Sequence, residues 1–162
     1  MGCCCSVNKE LLNSTYQNTP TFLLPKKKMK AKVLKVYDGD TIWVSLILYK
    51  KLFKFNCRMI GYDSPEMKPL LSNPNRNQEI IAAKSAKDYL ANLILNKIVD
   101  IQFGDFDKYG RALCSIYIPD PDSKKIICRN NICVNTLMIR KGHGYPYLGG
   151  RKKSFVKNSP KR

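Results

Sequence analysis

A chain of 162 residues, 44% of them hydrophobic, is long enough for one compact domain with short tails and apolar enough to give that domain a core. Its 29 Lys and Arg against 12 Asp and Glu leave a formal net charge of +17, which favours polyanionic partners, either nucleic acid or an anionic membrane leaflet. A merely soluble basic protein is the alternative explanation. No stretch reaches the ~18 apolar residues of a membrane-spanning helix, and we expect no secretory signal.

The first residues match a signal for lipidation. Met1 is followed by glycine and the sixth residue is Ser6, the M-G-x-x-x-[ST] pattern of N-myristoylation, and the cysteines between them suit palmitoylation. The residues predicted to be acylated are Gly2, Cys3, Cys4 and Cys5. One myristoyl chain binds a membrane only marginally, and the cysteines and the lysine-rich run 26–32 each offer a second attachment. A chance match with a solvated lysine run is the alternative.

We therefore predict that residues 1–30 form a lipidated anchor and a basic, poorly ordered tether, with at most a turn of helix over 11–17. Made in a eukaryotic cell, the protein would sit at the cytoplasmic face of a membrane through myristoyl and palmitoyl groups. Without acylation it would be cytoplasmic.

From Ala31 onward the pattern predicts a small α+β domain over 31–148. Apolar runs rich in β-branched and aromatic residues predict strands over 31–37, 41–48 and 52–60. The Asp38-Gly39 pair predicts a hairpin turn between the first two strands. A polar loop over 67–76 leads to a predicted helix over 77–96, whose apolar stripe comprises Ala82, Ala86, Tyr89, Leu90, Leu93 and Ile94.

The second half of the domain repeats this alternation. Strands are predicted over 97–104 and 112–118, with 125–130 as a short additional strand. A second helix over 134–141 ends before Gly142, a typical C′ glycine, and residues 149–162 form a basic tail. This order fits a five-stranded barrel of the oligonucleotide-binding (OB) type with two or more helices, although periodicity alone supports only a small α+β barrel or sheet.

The seven cysteines indicate free thiols. Their number is odd, none form a C-x-x-C pair, and the last four lie within or beside apolar runs, where free Cys usually behaves as a small hydrophobe. They are Cys3, Cys4, Cys5, Cys57, Cys114, Cys128 and Cys133. We expect neither a zinc site nor a disulfide framework, and a reducing compartment.

Acidic residues are scarce, yet four of them lie in two short motifs. YDGDT contains Asp38 and Asp40, and GYDSPE contains Asp63 and Glu66. Both motifs fall at predicted strand ends. Carboxylates grouped in a cationic protein suit a hard cation such as calcium, which takes oxygen ligands and can draw charge from a phosphate. Either motif alone is better explained by ordinary turn chemistry, in which Asp is common.

Two arginines and one histidine narrow the chemistry. Arg58 and Arg111 present guanidinium forks that match phosphate oxygens, although a surface carboxylate is the commoner partner of a strand arginine. His143 is the chain's one histidine, so a nuclease with two catalytic histidines is excluded. We predict that His143 is a surface or loop residue, and that any phosphodiester hydrolysis depends on carboxylates and arginines.

Three segments in this order, VYDGDTI, CRMIGYDSPE and DKYGRALCSIYI, resemble the signature segments of the staphylococcal nuclease (thermonuclease) family. The resemblance runs from about Ala31 to Tyr147. It implies a five-stranded barrel with helices and a calcium-dependent nuclease of DNA and RNA that leaves 3′-phosphates. The chain departs from the bacterial family in its short C-terminal region and in its lipidation signal.

The resemblance also implies a role for each matching residue. Calcium would be held by Asp40, Asp63 and the backbone carbonyl of Ser64. Asp38 would lie next to these ligands without binding the ion itself. Glu66 would be the general base that activates water, while Arg58 and Arg111 would bind the phosphate and stabilise its developing charge. The substrate contacts would come from Lys108, Tyr109, Tyr145 and Tyr147.

The expected partners are single-stranded DNA and RNA, with duplex DNA as a further substrate, and an anionic membrane leaflet; we expect a monomer. The alternative function is a non-catalytic nucleic-acid-binding module of the same fold. The complete set of acids and arginines favours the enzyme. A lipidated membrane adaptor is a third interpretation, but it leaves the two acidic motifs unexplained.

Overall fold

The computed structural model describes residues 8–121 and 131–150. Within them the strands are β1 (Met29–Val36), β2 (Thr41–Leu48), β3 (Lys51–Met59), β4 (Gly61–Asp63), β5 (Ile98–Phe106), β6 (Ala112–Pro119), β7 (Asn131–Cys133) and β8 (Tyr145–Tyr147). The helices are α1 (Lys9–Leu12), α2 (Arg76–Ile94) and α3 (Val134–Arg140). The predicted acylation sites, the predicted strand 125–130 and the basic tail after Gly150 lie outside the described residues.

Five strands close into a barrel. They pair in the order β3-β2-β1-β5-β6, and β3 also pairs with β6 in parallel, with Cys57 opposite Ala112 and Met59 opposite Cys114. β7 pairs with the outer part of β6, and β4 and β8 form a separate two-stranded sheet. The prediction of an α+β fold with a five-stranded OB-type barrel and at least two helices is confirmed.

Buried and more exposed side chains alternate along the barrel strand β6, so one face of the strand points into the core. In β6 the residues Ala112, Cys114, Ile116 and Ile118 are buried, while those between them are only half-buried. Cys57 and Cys114 are free thiols and are buried in this core, which is where a cysteine that acts as a small hydrophobe is expected.

Helix α2 covers one side of the barrel with a stripe of small and aliphatic residues. Its buried apolar positions, spaced three or four residues apart, are Ala83, Ala86, Leu90 and Ile94. The predicted stripe was wrong at Ala82, which does not pack against the core, whereas the equally half-buried Tyr89 and Leu93 do. Helix α3 ends as predicted, with Gly142 at a φ of 75° directly after the Lys141 cap.

The connection between β1 and β2 is the predicted hairpin turn at Asp38 and Gly39. Gly39 does not have a positive φ; the turn is closed by Asp38, whose Oδ1 accepts hydrogen bonds from the backbone N–H groups of Asp40 (3.0 Å) and Thr41 (2.7 Å). Glycine is required at position 39 for space, because a Cβ there would lie 2.7 Å from the Cβ of Ser64 and 3.0 Å from that of Ala86.

The packed part of the chain begins before Ala31. Strand β1 starts at Met29, and Leu24 is 3% exposed and belongs to the core. The expectation of a poorly ordered tether up to residue 30 is therefore wrong for this stretch, and the short helix lies over Lys9–Leu12 rather than 11–17. Among the described residues, no helix has the length and apolar character needed to cross a bilayer.

Candidate active site

One arginine joins two buried carboxylates at the end of β3. The Nη1 of Arg58 bonds to Oδ1 of Asp40, just before β2, and its Nη2 lies 2.5 Å from Oδ1 of Asp63 at the end of β4. Both aspartates are almost fully buried, at 3% and 2% exposure. Burial on its own would lower the pKa of Arg58, but the charges of Asp40 and Asp63 raise that pKa above its ordinary value.

Further hydrogen bonds fix the orientation of each carboxylate. Oδ2 of Asp40 accepts from the backbone N–H and from the hydroxyl of Ser64, each at 3.0 Å, and its Oδ1 accepts from the Thr41 hydroxyl at 3.0 Å. Oδ2 of Asp63 accepts from the Tyr145 hydroxyl at 3.0 Å. Segments distant in the sequence therefore hold two negative charges close to one position.

Asp38 and Tyr62 complete the region behind these carboxylates. Burial and the nearby charge of Asp40 raise the pKa of Asp38 to about 6, although hydrogen bonds from the turn oppose this change. The Tyr62 hydroxyl donates to the Gly39 carbonyl at 2.6 Å and ties β4 to the β1–β2 turn. Its burial raises the pKa of Tyr62 well above the ordinary value.

A second guanidinium is held at the turn between β5 and β6. Asp107 accepts from the Nε of Arg111 at 2.8 Å and from the backbone N–H groups of Arg111 and Tyr109 at 2.9 Å. Burial alone would raise the pKa of Asp107, but these hydrogen bonds lower it below its ordinary value. Nη1 of Arg111 lies 3.5 Å from the Thr41 hydroxyl, beside Asp40.

Glu66 lies on the loop after β4, and its side chain is exposed. The backbone N–H of Glu66 donates to Oε1 of Glu79 at 3.2 Å, while Oε2 of Glu79 accepts from the Asn73 side chain at 2.6 Å. Glu79 is buried in the first turn of α2. The helix thus holds the backbone of the loop and leaves the Glu66 carboxylate accessible, as proton transfer with a solvent molecule requires.

A cleft of about 810 Å³ collects most of the predicted site residues. Its lining includes Asp38, Asp40, Arg58, Ser64, Glu66, Lys108, Tyr109, Arg111 and Tyr147. Asp63 adjoins it through its ion pair with Arg58, and Tyr145 through its hydrogen bond to Asp63. The structure therefore brings the predicted residues together, while their individual roles stay predictions.

Residues 56–157 match the family described as Staphylococcal nuclease homologue. The chain belongs to this family. Uncharacterized endonucleases of Escherichia coli and its O157:H7 strain are each 28% identical over 116 residues, covering 72% of this chain and 60% of the relative. An uncharacterized protein of Methanocaldococcus jannaschii is 28% identical over 149 residues, covering 83% of this chain and 67% of its own. The chain thus spans less than two thirds of its Escherichia coli relatives.

The family match begins in β3 at Asn56, so the motif with Asp38 and Asp40 precedes the matched range. The ion pair between Arg58 and Asp40 connects that motif to the matched part of this staphylococcal nuclease homologue. The geometry of the cleft, rather than the match, is what brings Asp40 into the site.

The donor chemistry of this nuclease homologue fits a hard cation. Asp40 and Asp63 offer carboxylate oxygens to a single cationic group, a position now taken by the guanidinium of Arg58. Among the described residues there is no group of three or more His, Cys, Asp and Glu side chains that could hold a metal. Backbone carbonyls, water and substrate oxygens would have to complete the shell, as calcium commonly allows.

Several site residues were missed in the sequence. They are Thr41, Tyr62, Glu79 and Asp107. Asp107 could have been found from its position four residues before Arg111, and Thr41 from its place in DGDT, whereas Tyr62 and Glu79 carry no local signal. His143 lies after α3, in a loop as predicted. Its ring stacks on Tyr89 with ring centroids 4.4 Å apart, and it is absent from the cleft lining.

Proposed function

We propose that this protein is a calcium-dependent nuclease that hydrolyses phosphodiester bonds of single-stranded DNA and RNA, with duplex DNA as a further substrate. The observation that carries the proposal is the sharing of Arg58 by Asp40 and Asp63 in a cleft that also presents Arg111 and Glu66. Family membership and the net charge of +17 support a polyanionic substrate.

In this proposal Asp40, Asp63 and the backbone carbonyl of Ser64 hold the calcium ion. Bound calcium supplies Lewis-acid charge that polarises a phosphate oxygen. Arg58 can turn from the two aspartates to a phosphate only when another cation balances their charge. We therefore expect calcium and substrate to bind cooperatively.

The remaining residues perform the proton transfer and stabilise charge. Glu66 takes a proton from the water that attacks the phosphorus. Arg58 and Arg111 donate to the non-bridging oxygens, on which negative charge accumulates. The bond from phosphorus to the 5′ oxygen breaks, that oxygen takes up a proton, and the phosphate stays on the 3′ side. The substrate is positioned by Lys108, Tyr109, Tyr145 and Tyr147.

The test is digestion of a single-stranded DNA oligonucleotide by the full chain, with calcium and with a chelator. Cleavage should require calcium, and Glu66→Gln should lower turnover by about 10²–10⁴-fold because the general base is removed. The matched control is Glu10→Gln, which changes an exposed glutamate of α1 and should cleave like the wild type. Extension of the products by a polymerase only after phosphatase treatment would identify 3′-phosphates.

The alternative is a binding module with the same fold. Salt-sensitive DNA binding without cleavage under any calcium concentration would favour it. Wild-type turnover in Glu66→Gln would instead keep the enzyme and remove Glu66 from the role of base.

We also propose that N-terminal acylation tethers the protein to the cytoplasmic face of a membrane in a eukaryotic cell. The support is the glycine after Met1, the serine at position 6 and the three cysteines between them. In such cells Gly2→Ala should move the protein to the soluble fraction, and the triple change Cys3→Ser, Cys4→Ser and Cys5→Ser should weaken its attachment. A Gly2→Ala protein that remains fully membrane-bound and incorporates no myristate would show that myristoylation is not the anchor.

A further inference from the structure

The far end of the β2–β3 hairpin, residues 47–54 and here called the hairpin tip, exposes large apolar side chains. Ile47 is 65% exposed, Tyr49 76%, Leu52 71% and Phe53 41%. Ile47 and Leu52 lie directly opposite each other in the ladder, so their side chains share one face and are neighbours. Ile47, Leu52 and the adjacent turn residue Tyr49 thus form one patch, whereas Phe53 is paired with Leu46 on the opposite face of the hairpin. Such patches mark interaction sites.

The turn at the hairpin tip has an unfavourable sequence for its shape. Tyr49 and Lys50 have φ values of 49° and 63°, in a two-residue turn for which Asn and Gly are strongly preferred. A bulky residue in the left-handed region is strained. Strain that persists at an exposed turn indicates that the side chains themselves are needed there.

The hairpin tip is also positively charged. Lys50, Lys51 and Lys54 are exposed, and neither β2 nor β3 contains an acidic residue. Lys26 and Lys30, by contrast, pair with Asp105 and Asp100. Among the ion pairs of the described residues, Lys50 and Lys51 take part in none.

This composition favours one partner over the others. Lysines protect an exposed strand edge from unwanted pairing, but that role does not account for exposed Ile47, Tyr49 and Leu52. Nucleic acid bases stack on aromatic rings, and Tyr49 offers one, but the paired Ile47 and Leu52 are aliphatic and have no such role in base binding. A lipid leaflet takes up aliphatic side chains, holds tyrosine at its polar boundary and attracts lysine to anionic headgroups.

We propose that the hairpin tip docks on an anionic lipid leaflet as a weak, reversible contact, which needs no acyl group but does not replace the proposed acyl anchor. The 8 residues of β2 separate the tip from the cleft, because Thr41 lies at one end of the strand and Tyr49 follows the other. At ~3.3 Å per residue the separation is roughly 26 Å. A docked protein therefore keeps its cleft clear of the headgroups and open to a polymer from the aqueous side. This inference is independent of nuclease activity.

The test uses the full chain made in bacteria, where no myristoyl group is added, in a buffer with a calcium chelator. Co-sedimentation is measured with vesicles of phosphatidylcholine alone and with about 30% phosphatidylserine added. Binding should require phosphatidylserine. The double change Ile47→Ser and Leu52→Ser should lower the partition coefficient by roughly tenfold or more, because two exposed aliphatic side chains are lost. Lys50→Glu with Lys51→Glu should lower the partition coefficient at least as strongly, while the lysine-rich run 26–32 keeps a residual electrostatic attraction.

Matched controls change the same chemistry elsewhere. Leu70 and Leu71 are 78% and 89% exposed on the loop before α2, so Leu70→Ser with Leu71→Ser should bind like the wild type. Lys9→Glu with Lys84→Glu makes the same change in net charge as the tip variant and should retain most of the binding. If the tip and control variants lost vesicle binding equally, the binding would depend only on net charge or general hydrophobicity. That result would overturn the proposal.

A fluorescent reporter measures insertion directly. Trp43 is the chain's one tryptophan, so Tyr49→Trp combined with Trp43→Phe places the only indole at the tip. Its emission should shift to the blue with anionic vesicles and be quenched by brominated acyl chains; no change on vesicle binding would contradict the proposal. The proposal is also wrong if the tip variants leave vesicle binding intact and instead disrupt a dimer or weaken binding of single-stranded DNA.

Discussion

The side chains on one face of the β2–β3 hairpin have different surroundings at its two ends. At one end Arg58, opposite Thr41, is bonded to two buried aspartates. At the other end Ile47 and Leu52 are opposite each other and largely exposed. Strand periodicity decides which side chains share a face, but other elements decide what covers that face.

The charged end is covered by elements from distant parts of the sequence. β8 brings Tyr145 to Asp63, and the turn before β6 brings Arg111 to Thr41. No comparable segment among the described residues reaches the exposed hairpin tip. The contrast separates a charged centre stabilised by long-range contacts from a surface formed by neighbours in the sequence.

The largest expected effect is at the cleft end. Arg58→Ala leaves Asp40 and Asp63 buried without their common partner, and should lower the free energy of unfolding by about 3–5 kcal/mol in the presence of a chelator. Calcium should restore part of the loss by balancing the same charges. Urea denaturation with and without calcium measures both effects.

A suitable control is Arg140→Ala, which removes an exposed arginine at the end of α3. It should change stability by only a few tenths of a kcal/mol. A similarly small loss in Arg58→Ala would mean that water solvates the two aspartates more than their burial suggests.

Removal of the second guanidinium should affect turnover more than stability. Arg111→Ala should reduce the cleavage rate by about 10²–10³-fold, because a donor to the developing charge is lost. Arg111→Lys should recover only part of the rate, since lysine keeps the charge without the fork. Steady-state kinetics on the same oligonucleotide measure both, and unchanged rates in the alanine variant would exclude Arg111 from the site.

Substitutions at the hairpin tip should raise the free energy of unfolding, whereas Arg58→Ala at the cleft should lower it. Tyr49→Asn combined with Lys50→Gly relieves the strained turn and should raise the free energy of unfolding by about 1 kcal/mol or more. The same change should weaken binding to anionic vesicles. Urea denaturation and co-sedimentation on one preparation compare the two, and a drop in stability would contradict the strain that we assign to the turn.

The smallest effect is a pH dependence at Asp107. Its pKa is lower in the folded protein than the ordinary 3.8, so its ionised form stabilises the folded state. That contribution is complete above the unfolded pKa and is lost as the pH falls through the lower folded pKa. The stability difference between wild type and Asp107→Asn should therefore shrink from about pH 5 to about pH 2. A difference that stays constant over this range would show that the carboxylate charge is not involved.

Much of the barrel could be predicted from the sequence because its strands are long and regular. β2 has the predicted bounds, and the other long strands and α2 differ by one or two residues at their ends. β4 and β8 were missed because a three-residue strand shows no period; only their pairing with each other reveals them.

The candidate site was predictable only where its chemistry is local. Asp38, Asp40, Asp63 and Glu66 stand out because acids are rare in this chain. Glu79 gave no such signal, since its importance depends on a hydrogen bond to the loop of Glu66, 13 positions earlier. The space required at Gly39 likewise depends on where Ser64 and Ala86 meet it in the fold.

The position of Arg58 between the two aspartates also matters for the protein without bound calcium. Because Arg58 already neutralises Asp40 and Asp63, the fold does not need calcium to balance these two buried charges. A destructive activity could then be stored in a resting cell and released by a rise in calcium, with no new synthesis. Under the proposed function, the time of cutting would be set by an ion signal rather than by the abundance of the protein.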